Sequence, residues 1–295
     1  MRHNLSNLLI VLAILVFITA CVCRSDRDGD SSPTPQPQTA ASNRDTAAAP
    51  TKASDDQKNK KKDDGDFLVE HIDVKNPRFV EIDRQVKAEK LMEKAADRLN
   101  SALILPHDIT LRTKDCSEVN AFYDSNDGSV TVCYELMEHF FKVFRAGGST
   151  EDEAYQKMFD AVRFVFLHEV GHALIDTYKL PIMGNEEDAA DRCSSYINLE
   201  ELGPDGVKAV FAAADAFAIE SKLGDSRERN MADEHLLQEQ RFYNSLCMIY
   251  GSNPGKYGNI VTDGYLPKER AVRCPSEYQK AVDSWVNLLQ PWRKD

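Results

Sequence analysis

Long apolar runs are scarce in this chain of 295 residues. The longest, residues 8–18, has eleven residues, whereas a helix needs about 20 to cross a bilayer. This shortage argues against an uncleaved membrane anchor near the amino terminus. Arg2 and His3 precede the run and small residues follow it, a pattern typical of an export signal. We therefore predict a signal peptide over residues 1–20.

Residues 22–64 contain no Leu, Ile, Met or aromatic residue. A segment of this composition cannot bury an apolar core, and it is rich instead in Ser, Pro, Thr, Asp and Lys. We predict a disordered linker over 21–65 and a folded domain over 66–295.

The folded part also lacks an excess of positive charge. Residues 66–295 carry 27 basic and 40 acidic side chains. Nucleic acid is a polyanion whose binding depends on Lys and Arg contacts to phosphate. We therefore expect no nucleic-acid partner.

The end of the predicted signal has a more specific feature. The sequence ITAC at 18–21 resembles a bacterial lipobox, which implies cleavage before Cys21 and attachment of lipid to it. The chain would then be exported and anchored in the cell envelope, with the membrane as a partner. A plain signal peptide and a secreted protein are the alternative.

Five cysteines fall in 66–295, and export permits disulfides. Cys116 and Cys133 flank two strand-like runs around an Asp-Gly turn, so we predict that they pair. Cys247 and Cys274 flank a loop rich in Gly, Pro and Asn, and we predict the second disulfide there. Cys193 remains, and we expect it to be a buried, unreactive thiol.

The apolar patterns predict strands first and helices after them, which is typical of an α+β fold with a small sheet. The predicted strands lie near 67–74 and 108–113, with a hairpin over 119–133. The predicted helices lie near 80–103, 134–145, 151–177, 186–203, 205–222, 235–250 and 276–290.

The helix predicted over 151–177 is apolar on nearly all sides, which indicates that it is buried, and it contains the sequence HEVGH at 168–172. His168 and His172 lie one helical turn apart, so both can bind one zinc ion, with Glu169 beside them as a base. Gly171 costs helix stability, which makes sense if another backbone passes close by. The alternative is two hydrogen-bonded histidines in an ordinary core.

A catalytic zinc site needs a third protein ligand besides the two histidines. Ile175 and Tyr178 occupy positions where a metzincin has Gly and His, which excludes that class. Glu187 and Asp191 share one face of the next predicted helix, so we assign Glu187 to the metal and Asp191 to a histidine N–H. Glu186 is the competing ligand.

Four segments resemble those of a bacterial metallopeptidase family of gluzincin type: NAFYD, HEVGHALID, EEDAADR and DEHLLQEQRFYNSLCMIYG. The resemblance spans roughly 67–290. It implies a zincin-like domain that uses Zn²⁺ to hydrolyse peptide bonds in a peptide or protein substrate.

Zincins also hold extended peptides along a sheet edge, and we expect residues 129–133 to form it, with an interior strand as the alternative. The resemblance further implies a residue that stabilises negative charge on the carbonyl oxygen. His235 is our candidate for that catalytic role, ahead of Arg241 and Tyr243.

Two other functions remain open at this point. A zincin-like fold without activity would serve as a binding module in the cell envelope, although the retained Glu169 argues against it. A metal-dependent amidase acting on a non-peptide substrate would use the same residues.

Overall fold

A computed structural model describes residues 61–223 and 234–294, all within one compact unit, Asp56–Asp295. The predicted signal peptide, Cys21 and nearly all of the predicted linker lie outside the described residues. None of the helices formed by the described residues has the length and apolar character needed to cross a membrane.

Four strands form one small sheet in the order β1-β2-β4-β3. β1 (Phe67–His71), β2 (Ile109–Lys114) and β4 (Ser129–Cys133) are parallel, and β3 (Ala121–Asp124) pairs with β4 in the antiparallel sense. The turn between β3 and β4 contains Gly128 at φ 66°, a left-handed conformation that glycine adopts without strain.

Our expectation that residues 129–133 form the sheet edge is wrong. β4 lies between β2 and β3, and all five of its residues are buried. Its polar side chains are covered because Arg112 on β2 donates to Ser129 Oγ at 2.8 Å and Thr131 Oγ1 at 3.1 Å. The alternative, an interior strand, is the one that the structure shows. The edge next to β4 is β3.

Ten helices follow or separate these strands within the described residues, and this small sheet followed by a mainly helical part confirms the predicted α+β class. They are α1 (Val80–Glu89), α2 (Leu91–Ala102), α3 (Tyr134–Ala146), α4 (Glu151–Tyr178), α5 (Glu186–Tyr196), α6 (Gly203–Leu223), α7 (Gln238–Ser252), α8 (Asn259–Thr262), α9 (Lys268–Ala271) and α10 (Cys274–Leu289). A π-helical segment, Ile197–Glu201, joins α5 to α6.

The single helix expected over 80–103 is two helices, broken where Lys90 adopts a left-handed conformation with φ 51°. On one continuous helix, Ile82 and Val86 would face about 120° away from the mean direction of the buried residues of α2, at 100° per residue. The break lets both apolar faces reach one core. Neither Lys90 nor its neighbours Glu89 and Leu91 is a glycine or a proline, so the sequence contained no local signal for the break.

α4 is the central helix, and 16 of its 28 residues are buried. It begins with a capping box, in which Thr150 and Glu153 each accept a hydrogen bond from the other's backbone N–H. α3, α5 and α6 pack around it, and β3 and β4 also contact it. Because α4 is enclosed in this way, the sequence HEVGH lies deep in the fold.

Two disulfides join Cys116 to Cys133 and Cys247 to Cys274, the two pairs expected from the sequence. The first connects the segment after β2 to the end of β4, and the second connects α7 to α10. Cys193 is free and fully buried on α5, where burial raises the pKa of its thiol far above the ordinary value.

Candidate metal centre

Two helices, α4 and α5, supply the donor atoms of a candidate metal centre. His168 and His172 lie one turn apart on α4. Asn185 caps α5 by accepting from the Glu187 N–H at 2.7 Å, so Glu187 lies in the first turn of α5. This cap determines where α5 begins and directs the first turn toward α4.

Gly171 allows the close approach of the two helices. A Cβ atom at this position would lie 3.1 Å from Cys193 Cβ and 3.2 Å from Ala190 Cα, closer than ordinary van der Waals contact. The glycine within α4 thus has the packing reason that the sequence suggested: a second backbone passes beside it.

Three side chains converge between these helices, and Glu187 turns one carboxylate oxygen toward each histidine. His168 Nε2 lies 3.1 Å from His172 Nε2 and 3.0 Å from Glu187 Oε2, and His172 Nε2 lies 3.3 Å from Glu187 Oε1. Tetrahedral ligands at ~2.0–2.1 Å from one ion are about 3.3 Å apart, so this donor set fits a tetrahedral metal ion. The other such cluster among the described residues, Cys116, Cys133 and Glu135, has both sulfurs in a disulfide.

Each histidine is held by a carboxylate on its other ring nitrogen. His168 Nδ1 donates to Asp191 Oδ1 at 2.8 Å, and His172 Nδ1 donates to Glu186 Oε1 at 2.8 Å. Such bonds orient both rings so that Nε2 faces the shared point. Asp191 occupies the position expected from the sequence, whereas the contact between Glu186 and His172 was not predicted.

Asp191 is itself fixed by α7. Arg241 donates two hydrogen bonds to it, from Nε at 2.9 Å and from Nη2 at 2.8 Å. This fork-like pair is a strong and directional contact between Arg and carboxylate. Two of the Arg241 donors, Nε and Nη2, are therefore committed to Asp191. Tyr243, the other alternative to His235, is 38% exposed and does not line the cleft.

His235 lies beside the donor set. Its Nε2 is 2.9 Å from Glu187 Oε2, and its ring stacks on that of His168 at a centroid distance of 6.0 Å. The hydrogen bond with Glu187 raises the pKa of His235 despite partial burial. His235 therefore lies beside the candidate metal ligands, in contact with both Glu187 and His168.

The charges of the cluster support one another. Burial by itself would lower the pKa of His168, but hydrogen bonds to Asp191 and Glu187 outweigh it and raise the pKa to about 9. Burial opposes ionisation of Glu187, but hydrogen bonds from three histidines hold its pKa well below the ordinary range. Glu187 is therefore ionised, and a cation in place of the histidine protons would satisfy the same charges.

Glu169 borders the donor set and faces β3. It is 7% exposed, and burial raises its pKa above the ordinary value. The backbone N–H of Tyr123 on β3 lies near this carboxylate and opposes the rise in its pKa. The Tyr123 hydroxyl in turn donates to Asp176 Oδ2 on α4 at 2.9 Å. Sequence reasoning did not identify Tyr123, although it lies within the quoted segment NAFYD.

These groups open into a cleft of ≈ 880 Å³, a size typical of small-ligand and substrate sites. The cleft is lined by β3, by the helices α3, α4, α5, α6 and α7, and by the segment before α7. It contains His168, Glu169, His172, Glu187 and His235, all of which the sequence analysis nominated. The candidate metal ligands are therefore open to a substrate-sized cleft, and the Glu169 carboxylate lies beside them.

The α+β fold, the HEVGH helix and the acidic helix packed on it define a candidate metal-dependent hydrolase. Residues 71–289 match the DUF4344 family, which is described as "Putative metallopeptidase", and the chain belongs to this family. The match confirms the resemblance to a metallopeptidase family that was noted from the sequence. No curated protein and no solved structure matches the chain significantly.

Proposed function

We propose that this protein is a zinc-dependent peptidase with a zincin-like, gluzincin-type site that hydrolyses peptide bonds. The observation that carries the proposal is the position of Glu169. This carboxylate lies in an open cleft, between three convergent donor atoms on one side and the backbone of an edge strand on the other. An ordinary core would not combine these features.

His168, His172 and Glu187 would hold the ion. Two imidazole nitrogens and one carboxylate oxygen are a ligand set that zinc uses in catalytic sites, where one position is left for water or substrate. A bound zinc ion would supply a Lewis acid that polarises the substrate carbonyl and makes water acidic enough to react at neutral pH.

Glu169 would accept a proton from the attacking water and return it to the leaving amine. Burial raises its pKa, which brings its proton affinity closer to what a base needs near neutral pH. The carboxylate also lies near the backbone of Tyr123, on the strand that would bind the substrate.

The substrate main chain would pair with β3. Asn120 O accepts from Cys133 N at 3.1 Å, and hydrogen-bonded pairs alternate along an antiparallel ladder. The backbone groups of Ala121 and Tyr123 therefore point away from β4, toward the cleft. An extended peptide can add to this edge as a further strand.

His235 would stabilise the negative charge that develops on the carbonyl oxygen. Its pKa is raised through Glu187, so it retains a proton more readily than a free histidine. A donor aimed at this charge typically contributes about 10²–10³-fold to the rate.

The site of action would be the cell envelope. We propose that the chain is exported, that residue 21 becomes a lipidated amino terminus, and that 21–65 connects the domain to the membrane. The ITAC sequence at 18–21 and the composition of 22–64 support this proposal.

The deciding experiment compares wild type with Glu169→Gln on an unfolded protein substrate and on a panel of non-peptide amides. We expect the variant to retain zinc and to lose about 10²–10⁴-fold in rate, as general-base losses do. Glu269→Gln, at an exposed position of α9, is the matched control.

Three outcomes would contradict the proposal. Equal rates in wild type and Glu169→Gln would remove the base from the mechanism. Cleavage of amides without cleavage of peptides would indicate an amidase. Zinc binding with no hydrolysis at all would indicate a binding module.

A further inference from the structure

The cleft continues beyond the donor set into an apolar recess between α3, α4 and α6. Leu136 and Phe140 come from α3, Val165 from α4 and Phe217 from α6. Val165 lies three residues before His168, so the recess begins next to the metal ligands on the same face of α4. Its walls would pack against the methylene groups of a long side chain.

Glu220 lies at this recess. It is three residues after Phe217 on α6 and therefore on the same helix face. Its side chain is 19% exposed, and its Oε1 is 2.7 Å from Nε2 of His139 on α3. A carboxylate this far out of water beside apolar walls favours a cationic group of a ligand.

The charge of the whole cleft also favours a cationic ligand group. Six carboxylates line it among the described residues, against Lys179, Arg241 and four histidines, three of which belong to the candidate metal centre. Arg241 is already engaged by Asp191. Glu187 faces the candidate ion. Glu220 is therefore the carboxylate that faces the recess between α3, α4 and α6.

The direction of a bound peptide decides which of its residues meets the recess. The Tyr123 hydroxyl bonds Asp176, so the carboxyl end of β3 lies by the end of α4. Asn120 bonds Cys133, the residue just before α3, so the amino end of β3 lies beside the recess. A peptide antiparallel to β3, the more stable pairing, runs toward α3 after the cleaved bond.

We infer that the residue immediately after the cleaved bond is lysine or arginine, with its methylenes on Phe140, Val165 and Phe217 and its cation on Glu220. The inference rests on the proposed peptidase function and names its substrate class. A hydrogen bond between charged groups typically corresponds to about 10–100-fold in kcat/KM.

The test uses zinc-loaded full-length protein and a peptide series that differs at this one position: Lys, Arg, norleucine, Phe and Glu. Norleucine has a straight apolar chain without the charge. We expect Lys and Arg to exceed norleucine by about 10–100-fold in kcat/KM. Mass spectrometry of the products identifies the cleaved bond.

Within Glu220→Gln, kcat/KM for the Lys and Arg peptides should fall to the level that the same variant shows for the norleucine peptide, and Glu220→Lys should favour the Glu peptide. Asp215→Asn, an exposed position on α6 paired with Lys157, should retain the preference. The inference would be overturned if the Phe or norleucine peptide is cleaved as well as the Lys peptide, or if the preference survives in Glu220→Gln. Neither result would contradict the proposed peptidase function. No cleavage of any peptide would overturn the proposed function as well.

Discussion

Asp191 illustrates how one residue connects the candidate metal centre to the rest of the molecule. It accepts from His168 Nδ1 on one side and from the Arg241 guanidinium on the other. Burial opposes its ionisation, but the nearby Arg241 and His168 outweigh burial and hold its pKa well below the ordinary range. The orientation of a ligand on α4 therefore depends on α7, which begins 47 residues after Asp191 and about 70 after His168.

At this scale the roles of the three acidic residues can be separated by measuring zinc content. Glu187→Gln should lose most of the metal, because two histidines alone form a weak site. Asp191→Asn should lower zinc affinity by about 10–100-fold, as loss of a carboxylate behind a ligand usually does. Glu186→Gln should have a smaller effect, since its side chain is 53% exposed and its bond to His172 competes with water.

The order of the three affinities, measured by competition with a chelating dye, is the informative result. If Glu186→Gln removes the metal and Glu187→Gln does not, the ligand assignment is wrong by one residue. If all three variants bind zinc like wild type, the third ligand lies elsewhere, and His235 is the next residue to substitute.

At the scale of elements, the centre depends on the separation of α4 and α5. The helices meet where Gly171 faces Ala190 and Cys193, and this contact brings Glu187 and Asp191 to the histidines. A glycine within a helix costs about 1 kcal/mol relative to alanine, and here close packing gives a reason for it.

Gly171→Val should move α5 away from α4 and so weaken zinc binding. Overpacking of this kind typically costs about 1–3 kcal/mol of folding free energy. We expect zinc affinity to fall by at least about tenfold in variants that remain folded, since ligand geometry tolerates little displacement. Circular dichroism establishes folding, and dye competition measures affinity.

Gly171→Ala provides the graded comparison. Its single Cβ requires a shift of only a few tenths of an ångström, so its effect on zinc should be smaller than that of valine. Unchanged zinc affinity in a folded Gly171→Val protein would contradict the argument that this contact positions Glu187.

At the scale of the whole molecule, the proposed tether determines which substrates the cleft can reach. The end of the predicted linker belongs to the domain, because Asp64 and Gly65 donate backbone hydrogen bonds to Leu105 O at 2.8 and 3.0 Å. A flexible linker of about 40 residues, as the composition of 22–64 predicts, would have a root-mean-square span of about 32–38 Å. This reach would hold the domain clear of a membrane surface while keeping it in the envelope. The acidic domain would be repelled by anionic lipid rather than lie on it.

Cys21→Ser tests this tether directly. We expect wild-type protein in the membrane fraction with lipid on residue 21, because several acyl chains together anchor stably. The Ser variant should be absent from that fraction in its processed form, and Cys193→Ser, which leaves the signal intact, is the matched control. Wild-type protein that is soluble after export and carries no lipid by mass spectrometry would refute the anchor.

The sequence by itself determined the features that depend on local geometry. A spacing of four residues on an apolar helix places His168 and His172 on one face, and the Thr150 capping box begins that helix. The α+β class followed from the order of strand and helix patterns. The family could be recognised because its characteristic segments are short and contiguous.

Only the tertiary structure decided the contacts between elements that are distant in the chain. The edge strand is β3 rather than β4, and the first long helix is interrupted at Lys90. Glu186 is hydrogen-bonded to His172, and Arg241 is hydrogen-bonded to Asp191. Such contacts depend on how neighbouring surfaces pack. The local sequence around a residue is compatible with several different partners. Local spacing therefore predicted which residues carry the chemistry, whereas packing determined what holds each of them in place.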